Sequence, residues 1–296
     1  GKCTYTHMLN EGAGIETDLT VVCLEKNHFR IISSAAVRTH DKAHILKHLS
    51  KDLEFKDVTD ELVCLGIFGP KSRDLLSKIT DEDLTNKNFK FGTSKNIKLN
   101  SINVWAQRLS YVGELGYELY IQKEKAKEIY DLIVNTGKDF GLTHCGAHTM
   151  DTMRMESGFL HWGHDISPEE NQYQAGLNFA ISYKKPFDFV GKENLLKIKS
   201  QKLERRFVML VLKDNTPGKP LLLHEEPIYL DDNIIGKTTS GNYSFNYNKN
   251  LSFGYINSKL SNEQLANKNL YIEIEKKKYP AELLTKPLKK HNFKNI

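Results

Sequence analysis

Asp18 is a carboxylate within an otherwise apolar stretch, "GIETDLTVV". A carboxylate buried there without a partner would cost several kcal/mol, because it would lose its hydration. Two interpretations therefore stay open. Either Asp18 faces solvent on an edge strand, or it is aimed at an N–H group of a ligand.

The motif "LSYVGELGYELYI" combines tyrosines, glycines and a glutamate in one strand-like run. Tyr111 and Tyr117 offer flat apolar faces with a hydroxyl at the tip. Glu118 can accept two parallel N–H bonds from a guanidine-like ring edge, and the glycines allow the backbone to approach a flat ligand closely. The alternative is a hairpin turn with satisfied surface charges.

The segment "MDTMRMESGFLHWGHDI" places Arg154 among methionines. An arginine on an apolar helical face requires an anion or a carbonyl as its partner. His161 and His164 flank a Trp-Gly pair at i, i+3 spacing with no third ligand nearby, so we predict no metal site. Stacking or hydrogen bonding near a substrate is favoured for these histidines.

The composition predicts a folded globular protein without a membrane-spanning segment. The chain has 296 residues, of which 39% are hydrophobic and 27% charged. No run of about 18 apolar residues occurs, and the amino terminus has no apolar signal core. The chain starts without a methionine, so we expect a fragment or a processed chain.

The charge distribution argues against a nucleic-acid-binding protein, and the cysteine spacing argues against a cysteine-based metal site. The net charge of +5 is spread along the chain, whereas nucleic-acid binding needs a concentrated basic face. The four cysteines are far apart and include no CxxC pair, which favours free thiols in a reducing cytoplasm, the compartment we predict.

The chain also lacks the GxGxxG, GxxxxGK[ST] and GxSxG motifs, so no dinucleotide-binding fold is expected.

The elements that must position these residues begin with two strands, "IETDLTVVCL" and "HFRIISS". A helix over "THDKAHILKHLSK" follows, with Thr39 as its N-cap. The pattern strand, helix, strand, strand, helix then predicts an α+β sandwich of ferredoxin type for roughly 50–140. Its last helix, "EKAKEIYDLIVNTGKDFG", has one apolar face and is followed by Gly141.

From about Arg205 the sequence changes to short strands separated by Pro, Gly and Asn, which predicts a small antiparallel β-barrel. We therefore divide the chain into domains at 1–203 and 204–296.

Taken together, these motifs resemble the folate-binding aminomethyltransferase family, meaning the T-protein of the glycine cleavage system and its relatives. The resemblance is closest to the C-terminal folate module of dimethylglycine and sarcosine dehydrogenases. The segments that carry it are "YTHMLNEGAGIETDLTVVCL", "RLSYVGELGYELYI", "DTMRMESGFLHWGHDI", "YQAGLNFAISYKKPFDFVGKENL" and "PAELLTKPL". It implies a T-protein-like fold, with a ferredoxin-like and a mixed α/β subdomain before the barrel.

The resemblance also implies a tetrahydrofolate site. The family's folate-contacting tyrosines fall on Tyr5 and Tyr111, its pterin-binding glutamate on Glu118, and its helix arginine on Arg154. The asparagine of the T-protein site falls on Ser34, so that contact is altered here.

The implied activity is one-carbon transfer. The family's invariant strand carboxylate falls on Asp18, which we expect to be catalytic. The carbon would come from an oxidised N-methyl amine of the dimethylglycine or sarcosine type and leave as 5,10-methylenetetrahydrofolate. FAD would be required only in a separate amino-terminal domain or subunit, which would then be a partner.

Three other functions stay open. They are a stand-alone aminomethyltransferase that takes carbon from a lipoyl carrier protein, a folate-dependent demethylase, and a non-catalytic folate-binding module. The substitutions at Ser34 and Gln174 permit the last of these functions. The chain also departs from the family pattern at Ala13 and His148, where relatives usually have glycine and arginine. We expect this chain to lack the amino-terminal part of the T-protein fold.

Overall fold

The computed structural model describes residues 1–257, 259, 261–265, 267–290 and 292–296. Contacts divide the chain into two compact units. Unit 1 comprises Gly1–Tyr5, Leu19–Gly146 and His291–Ile296, and unit 2 comprises Thr6–Asp18 and Ala147–Lys290. The predicted division of the chain at 203/204 stays a prediction.

The elements are numbered in chain order. The strands are β1 (Cys3–Leu9), β2 (Ile15–Glu25), β3 (His28–Ile32), β4 (Leu62–Phe68), β5 (Thr93–Leu99), β6 (Ile102–Arg108), β7 (Gly116–Gln122), β8 (Arg206–Leu212), β9 (Pro227–Leu230), β10 (Asn233–Ser244), β11 (Lys249–Ile256), β12 (Leu270–Ile274) and β13 (Lys277–Leu284). The helices are α1 (Arg38–His48), α2 (Ser72–Leu76), α3 (Ala126–Gly137), α4 (Ala147–Glu156), α5 (Lys192–Ser200) and α6 (Asn262–Leu265).

Unit 1 is built around an antiparallel sheet with the strand order β4-β7-β6-β5. Alternate residues of a strand point to opposite faces, so each strand presents two different surfaces. One face packs with α2 and α3 into an apolar core that includes Ile67, Leu119, Leu76 and Ile133. We call the opposite face of this sheet, which carries Glu118, the outer face.

The outer face contacts a second, smaller cluster in unit 1. Trp105 and Tyr120 of the sheet pack there with Val22 and Ile32 of the sheet β1-β2-β3. The ring centroids of Trp105 and Tyr120 are 4.9 Å apart. The outer face is therefore partly covered by protein, which is why polar groups on it can be shielded from water.

The predicted α+β sandwich is confirmed, although its connections differ from the ferredoxin-type order. The sequence pattern did not indicate strand β5, which lies between α2 and β6. Three consecutive strands therefore separate α2 from α3, and α3 follows the last strand of the sheet. Among the named strands β5 pairs with β6, and Thr93 at its start also forms an isolated bridge with Lys2; its sequence is "TSKNIKL". Its outward residues are polar, as is usual for an edge strand, and this weakened the strand signal.

The predicted helices form with shifted starts. Helix α1 begins at Arg38 after a short 3₁₀ turn, so Thr39 lies inside the helix and the N-cap prediction was wrong. Helix α3 is confirmed, and Gly141 after it adopts a left-handed conformation with φ of 70°. Such a conformation favours glycine because it carries no Cβ.

In unit 2 the predicted barrel is confirmed as a closed sheet with the order β10-β11-β8-β13-β12-β9. Its interior is filled by alternating apolar residues such as Val208, Leu210, Ile228, Ile272 and Ala281. Closure leaves no free strand edge in this sheet. Among the described residues, no helix is both long enough and apolar enough to cross a membrane.

Candidate functional site

The predicted site residues are distributed over both units. Tyr5, Ser34, Tyr111 and Glu118 belong to unit 1, and Asp18 and Arg154 belong to unit 2.

Glu118 lies in β7 with its side chain on the outer face, partly buried. The hydroxyl of Tyr120 donates a hydrogen bond of 2.9 Å to its Oε2. Burial raises the pKa of the Glu118 carboxyl, and the hydrogen bond from Tyr120 lowers it, with burial the larger effect. Glu118 is thus a shielded acceptor held in place by one donor.

A flat apolar surface lies beside Glu118. Gly66 is the cross-strand partner of Glu118, and Phe68 is the partner of Gly116. A Cβ on Gly116 would come within 2.0 Å of the Phe68 ring, and a Cβ on Gly66 within 2.5 Å of it. The ring therefore occupies the space that both glycines leave open, and the sequence analysis missed Phe68.

The two tyrosines of the motif have different surroundings. Tyr111 lies partly buried in the connection between β6 and β7. Tyr117 is fully buried in the core on the opposite face from Glu118. Its hydroxyl accepts a hydrogen bond of 3.2 Å from Nε of Arg73. The interpretation of Tyr117 as a ligand surface was wrong, because adjacent residues of a strand point to opposite faces.

The other two residues of unit 1 lie at its surface. Tyr5 in β1 is 39% exposed. Ser34 is exposed at the start of the 3₁₀ turn before α1, and its carbonyl accepts the N–H of Val37 at 3.2 Å. Both residues are exposed to solvent.

In unit 2, Asp18 is partly buried in β2, and the start of this strand is firmly anchored. The carbonyl of Ile15 accepts a hydrogen bond of 3.0 Å from the indole N–H of Trp162. The N–H of Ile15 donates to the carbonyl of Glu170 at 2.9 Å. Ile15 itself is fully buried, so the backbone leading to Asp18 is fixed on both sides.

Arg154 in α4 is 1% exposed, and all three of its guanidinium nitrogens donate hydrogen bonds within unit 2. Nε bonds Asp151 at 2.8 Å, and Nη1 bonds the carbonyl of Phe159 at 3.1 Å. Nη1 also pairs with the buried carboxylate of Asp165, and Nη2 bonds Ser240 of the barrel at 2.8 Å. Arg154 thus joins α4 to the loop after it and to β10.

The histidines that follow α4 lie close together. The rings of His161 and His164 are 4.7 Å apart, and those of His164 and His224 are 6.2 Å apart. Burial, Arg154 and His164 together lower the pKa of His161, which favours its neutral form. In the part of the chain that the structure describes, no group of three or more His, Cys, Asp or Glu side chains is arranged to hold a metal ion.

Comparison with known families matches two domain models along the chain. Residues 1–185 match the GCVT N-terminal domain, and residues 205–290 match the glycine cleavage T-protein C-terminal barrel domain.

Two relatives and one solved structure match nearly all of this chain, but this chain spans different shares of their own lengths. Mitochondrial dimethylglycine dehydrogenase of Homo sapiens is 36% identical over 97% of this chain, which spans only 33% of that protein. An aminomethyltransferase of Thermoanaerobacter sp. is 33% identical over 98% of this chain and 77% of its own length. The crystal structure of aminomethyltransferase T from Bartonella henselae matches 98% of this chain and 76% of its own with a TM-score of 0.82 at 21% identity, which supports the fold alone.

Proposed function

Because the chain belongs to the glycine cleavage T-protein family, we propose that it binds tetrahydrofolate and transfers a one-carbon unit to it. We further propose that the carbon comes from an oxidised N-methyl amine of the dimethylglycine or sarcosine type. The observation that carries the proposal is the shielded Glu118 carboxylate beside the Phe68 ring.

These groups fit a pterin. The 2-amino and N3 hydrogens of the ring form a pair of parallel donors, which a carboxylate matches. The ring itself is flat and largely apolar on its faces, so it packs well on an aromatic side chain. We assign Glu118 to the pterin edge, with Tyr111 packed on or beside the ring, as the family resemblance implies.

Bound tetrahydrofolate would supply N5 and N10, which take up the carbon as 5,10-methylenetetrahydrofolate, with loss of water from formaldehyde or of the amine from an iminium. In this proposal Asp18 is ionised and accepts a hydrogen bond or a proton from N10–H. Its negative charge also stabilises positive charge that develops at the reacting nitrogen. The anchored start of β2 fixes the orientation of this carboxylate, and orientation contributes much of the acceleration in such reactions.

Arg154, Tyr5 and Ser34 take supporting roles. Because each nitrogen of Arg154 already has a partner within unit 2, we propose that it acts by fixing the loop that carries Trp162. Tyr5 and Ser34 offer hydroxyl groups for folate contacts, and the short Ser34 side chain would reach less far than the asparagine that it replaces.

A stand-alone aminomethyltransferase is the second candidate, favoured by the match to 77% of the length of the Thermoanaerobacter protein. This candidate would accept an aminomethyl group from a carrier protein. The first would use formaldehyde or an iminium supplied by a flavin-dependent dehydrogenase domain or subunit. Comparing the two donors with one preparation of the chain distinguishes these candidates.

The decisive experiment titrates purified chain with tetrahydrofolate and then adds formaldehyde. We expect saturable binding and formation of methylenetetrahydrofolate faster than the uncatalysed condensation. Asp18→Asn should bind tetrahydrofolate normally but lose most of the acceleration, at least about tenfold. The control Asp232→Asn, at a fully exposed carboxylate of unit 2, should change neither quantity.

Failure to bind tetrahydrofolate would refute the proposal. Binding without acceleration in the unmodified chain would instead identify a non-catalytic folate-binding module. Full acceleration in Asp18→Asn would remove only the role assigned to Asp18.

A further inference from the structure

Gln107 is the cross-strand neighbour of Glu118 on the outer face of the unit 1 sheet. The two residues are paired in the register of β6 and β7, so their side chains project from the same face. Side chains paired in this way lie about 5 Å apart at their Cβ atoms. Gln107 therefore flanks Glu118 on one side, and Gly66 with the Phe68 ring flanks it on the other.

The amide of Gln107 is oriented by a neighbouring thiol. Its Oε1 accepts a weak hydrogen bond of 3.7 Å from Sγ of Cys3. Burial raises the pKa of this thiol to about 11, so the sulfur keeps its proton and acts as a donor. The oxygen of the amide is thereby directed toward Cys3, and Nε2 is directed elsewhere.

Nε2 of Gln107 is shielded from solvent and has no hydrogen-bond partner among the described atoms. The residue as a whole is 0% exposed. A buried donor without a partner is destabilising, because it has lost its contact with water and gained no hydrogen bond in return. A buried donor without a partner, next to a carboxylate that is assigned to ligand binding, suggests that the donor bonds the same ligand.

Glu118 and Gln107 together present an acceptor next to a donor. The edge of a pterin presents the complementary order, which is the 2-amino and N3 donors followed by the 4-oxo acceptor. A 4-amino pterin presents a further donor in place of the 4-oxo group, and this donor would oppose Nε2. The pair is thus matched to the 4-oxo form and mismatched to the 4-amino form.

We propose that Gln107 donates a hydrogen bond to the 4-oxo group of the pterin whose 2-amino edge Glu118 holds, and so selects 4-oxo folates over 4-amino folates. The inference rests on the proposed function, since it names a specificity residue of that same site. Because Nε2 is shielded from solvent in the chain without ligand, Gln107 contacts the bound ring only after its side chain rotates, and it takes no part in proton transfer.

The test measures binding of two ligands under anaerobic conditions by calorimetry. The ligands are tetrahydrofolate and 4-amino-4-deoxytetrahydrofolate, which carries an amino group at C4 and lacks the N3 hydrogen. We expect Gln107→Met to weaken tetrahydrofolate binding by about tenfold and binding of the 4-amino compound by less than about threefold. Gln107→Glu, which replaces the donor with an acceptor, should favour the 4-amino compound further.

Two controls separate recognition from folding. Asn103→Met changes an exposed residue of the same strand and face and should leave both affinities unchanged. Because Gln107→Met removes an unsatisfied donor, its Tm should equal or exceed that of the unmodified chain. A structural role for Gln107 predicts the opposite change in Tm.

An unchanged ratio of the two affinities in Gln107→Met would overturn this inference, and so would an equal loss for both ligands with a lower Tm. Binding of tetrahydrofolate by the unmodified chain, together with such a result, would leave the proposed function standing. A chain that binds neither ligand would overturn the proposed function and this inference with it.

Discussion

Glu118 shows at the scale of one residue how burial sets a pH dependence. Burial raises the pKa of its carboxyl, so the group protonates at a higher pH than an exposed glutamate. A protonated carboxyl cannot accept two N–H bonds in parallel. We therefore expect tetrahydrofolate affinity to fall as the pH is lowered through the raised pKa, which a series of titrations at different pH values would measure.

The same group has the opposite effect on the stability of the chain without ligand. Because the folded-state pKa is raised, the folded state binds the proton more tightly than the unfolded state does. This contribution to stability is present at low pH and is lost as the pH rises through the raised pKa. Folate binding and folding thus respond to Glu118 with opposite signs.

Tyr120→Phe provides a sharper prediction on the same carboxyl. It removes the hydrogen bond that lowers the Glu118 pKa, so the pH midpoint of tetrahydrofolate binding should move upward. Tyr130→Phe, at an exposed residue of α3, serves as the matched control and should leave the midpoint unchanged. A midpoint that does not move in Tyr120→Phe would mean that another group controls binding.

The sequence identified residues by their chemical type, but it did not show which face of the sheet each side chain points to. Glu118 was identified from its type and its motif, whereas Tyr117, its neighbour, turned out to be a core residue. Gln107 and Phe68 gave no signal, because their importance follows from strand register. Register is set by tertiary pairing, which a single sequence does not display.

At the scale of elements, the buried pair Arg154–Asp165 joins α4 to the loop that follows it. The Asp165 carboxylate is completely buried, so removal of Arg154 would leave it without its cation. We expect Arg154→Met to lower the free energy of unfolding by about 3–5 kcal/mol, measured by urea denaturation. Lys127→Met, which breaks an exposed pair in α3, should change it very little, because solvent screens that pair.

A second variant tests whether this loss is electrostatic. Arg154→Met combined with Asp165→Asn removes both charges and should recover part of the lost stability. If the double variant were as unstable as the sum of the two single variants, the pair would not be coupled. Loss of tetrahydrofolate affinity in a still-folded Arg154→Lys variant would instead support direct folate contact.

The loop after α4 is linked to β2 by the hydrogen bond that Trp162 donates to Ile15. Trp162→Phe keeps the aromatic packing but removes the donor to the carbonyl of Ile15, three residues before Asp18. We expect kcat for methylenetetrahydrofolate formation to fall by about fivefold or more, because a catalytic group that is less well oriented is less effective. Tetrahydrofolate affinity should change little, and parallel losses in affinity and kcat would contradict a positioning role.

The elements that were predicted correctly are those with strong periodicity. The barrel strands alternate clearly and are separated by turn residues, and α3 has one apolar face. Strands β1 and β5 were missed because their patterns are polar and they lie at sheet edges. Their pairing partners, rather than their own sequences, determine their conformation.

At the scale of the whole molecule, the proposed roles are divided between the two contact units. Glu118, assigned to pterin binding, belongs to unit 1, and Asp18, assigned to chemistry, belongs to unit 2. A ligand that binds only the folded chain raises its stability by about 2.7 kcal/mol at a concentration of 100 Kd. Tetrahydrofolate should therefore raise Tm in a saturable manner, which thermal denaturation would measure.

The two assignments predict different responses in that measurement. Glu118→Ala should require about tenfold more tetrahydrofolate for the same rise in Tm, because about 1.4 kcal/mol of binding free energy is lost. Asp18→Asn should show the same rise as the unmodified chain, because its carboxylate is assigned to the reaction and not to affinity. A reversed pattern, with the rise lost in Asp18→Asn and kept in Glu118→Ala, would exchange the two roles.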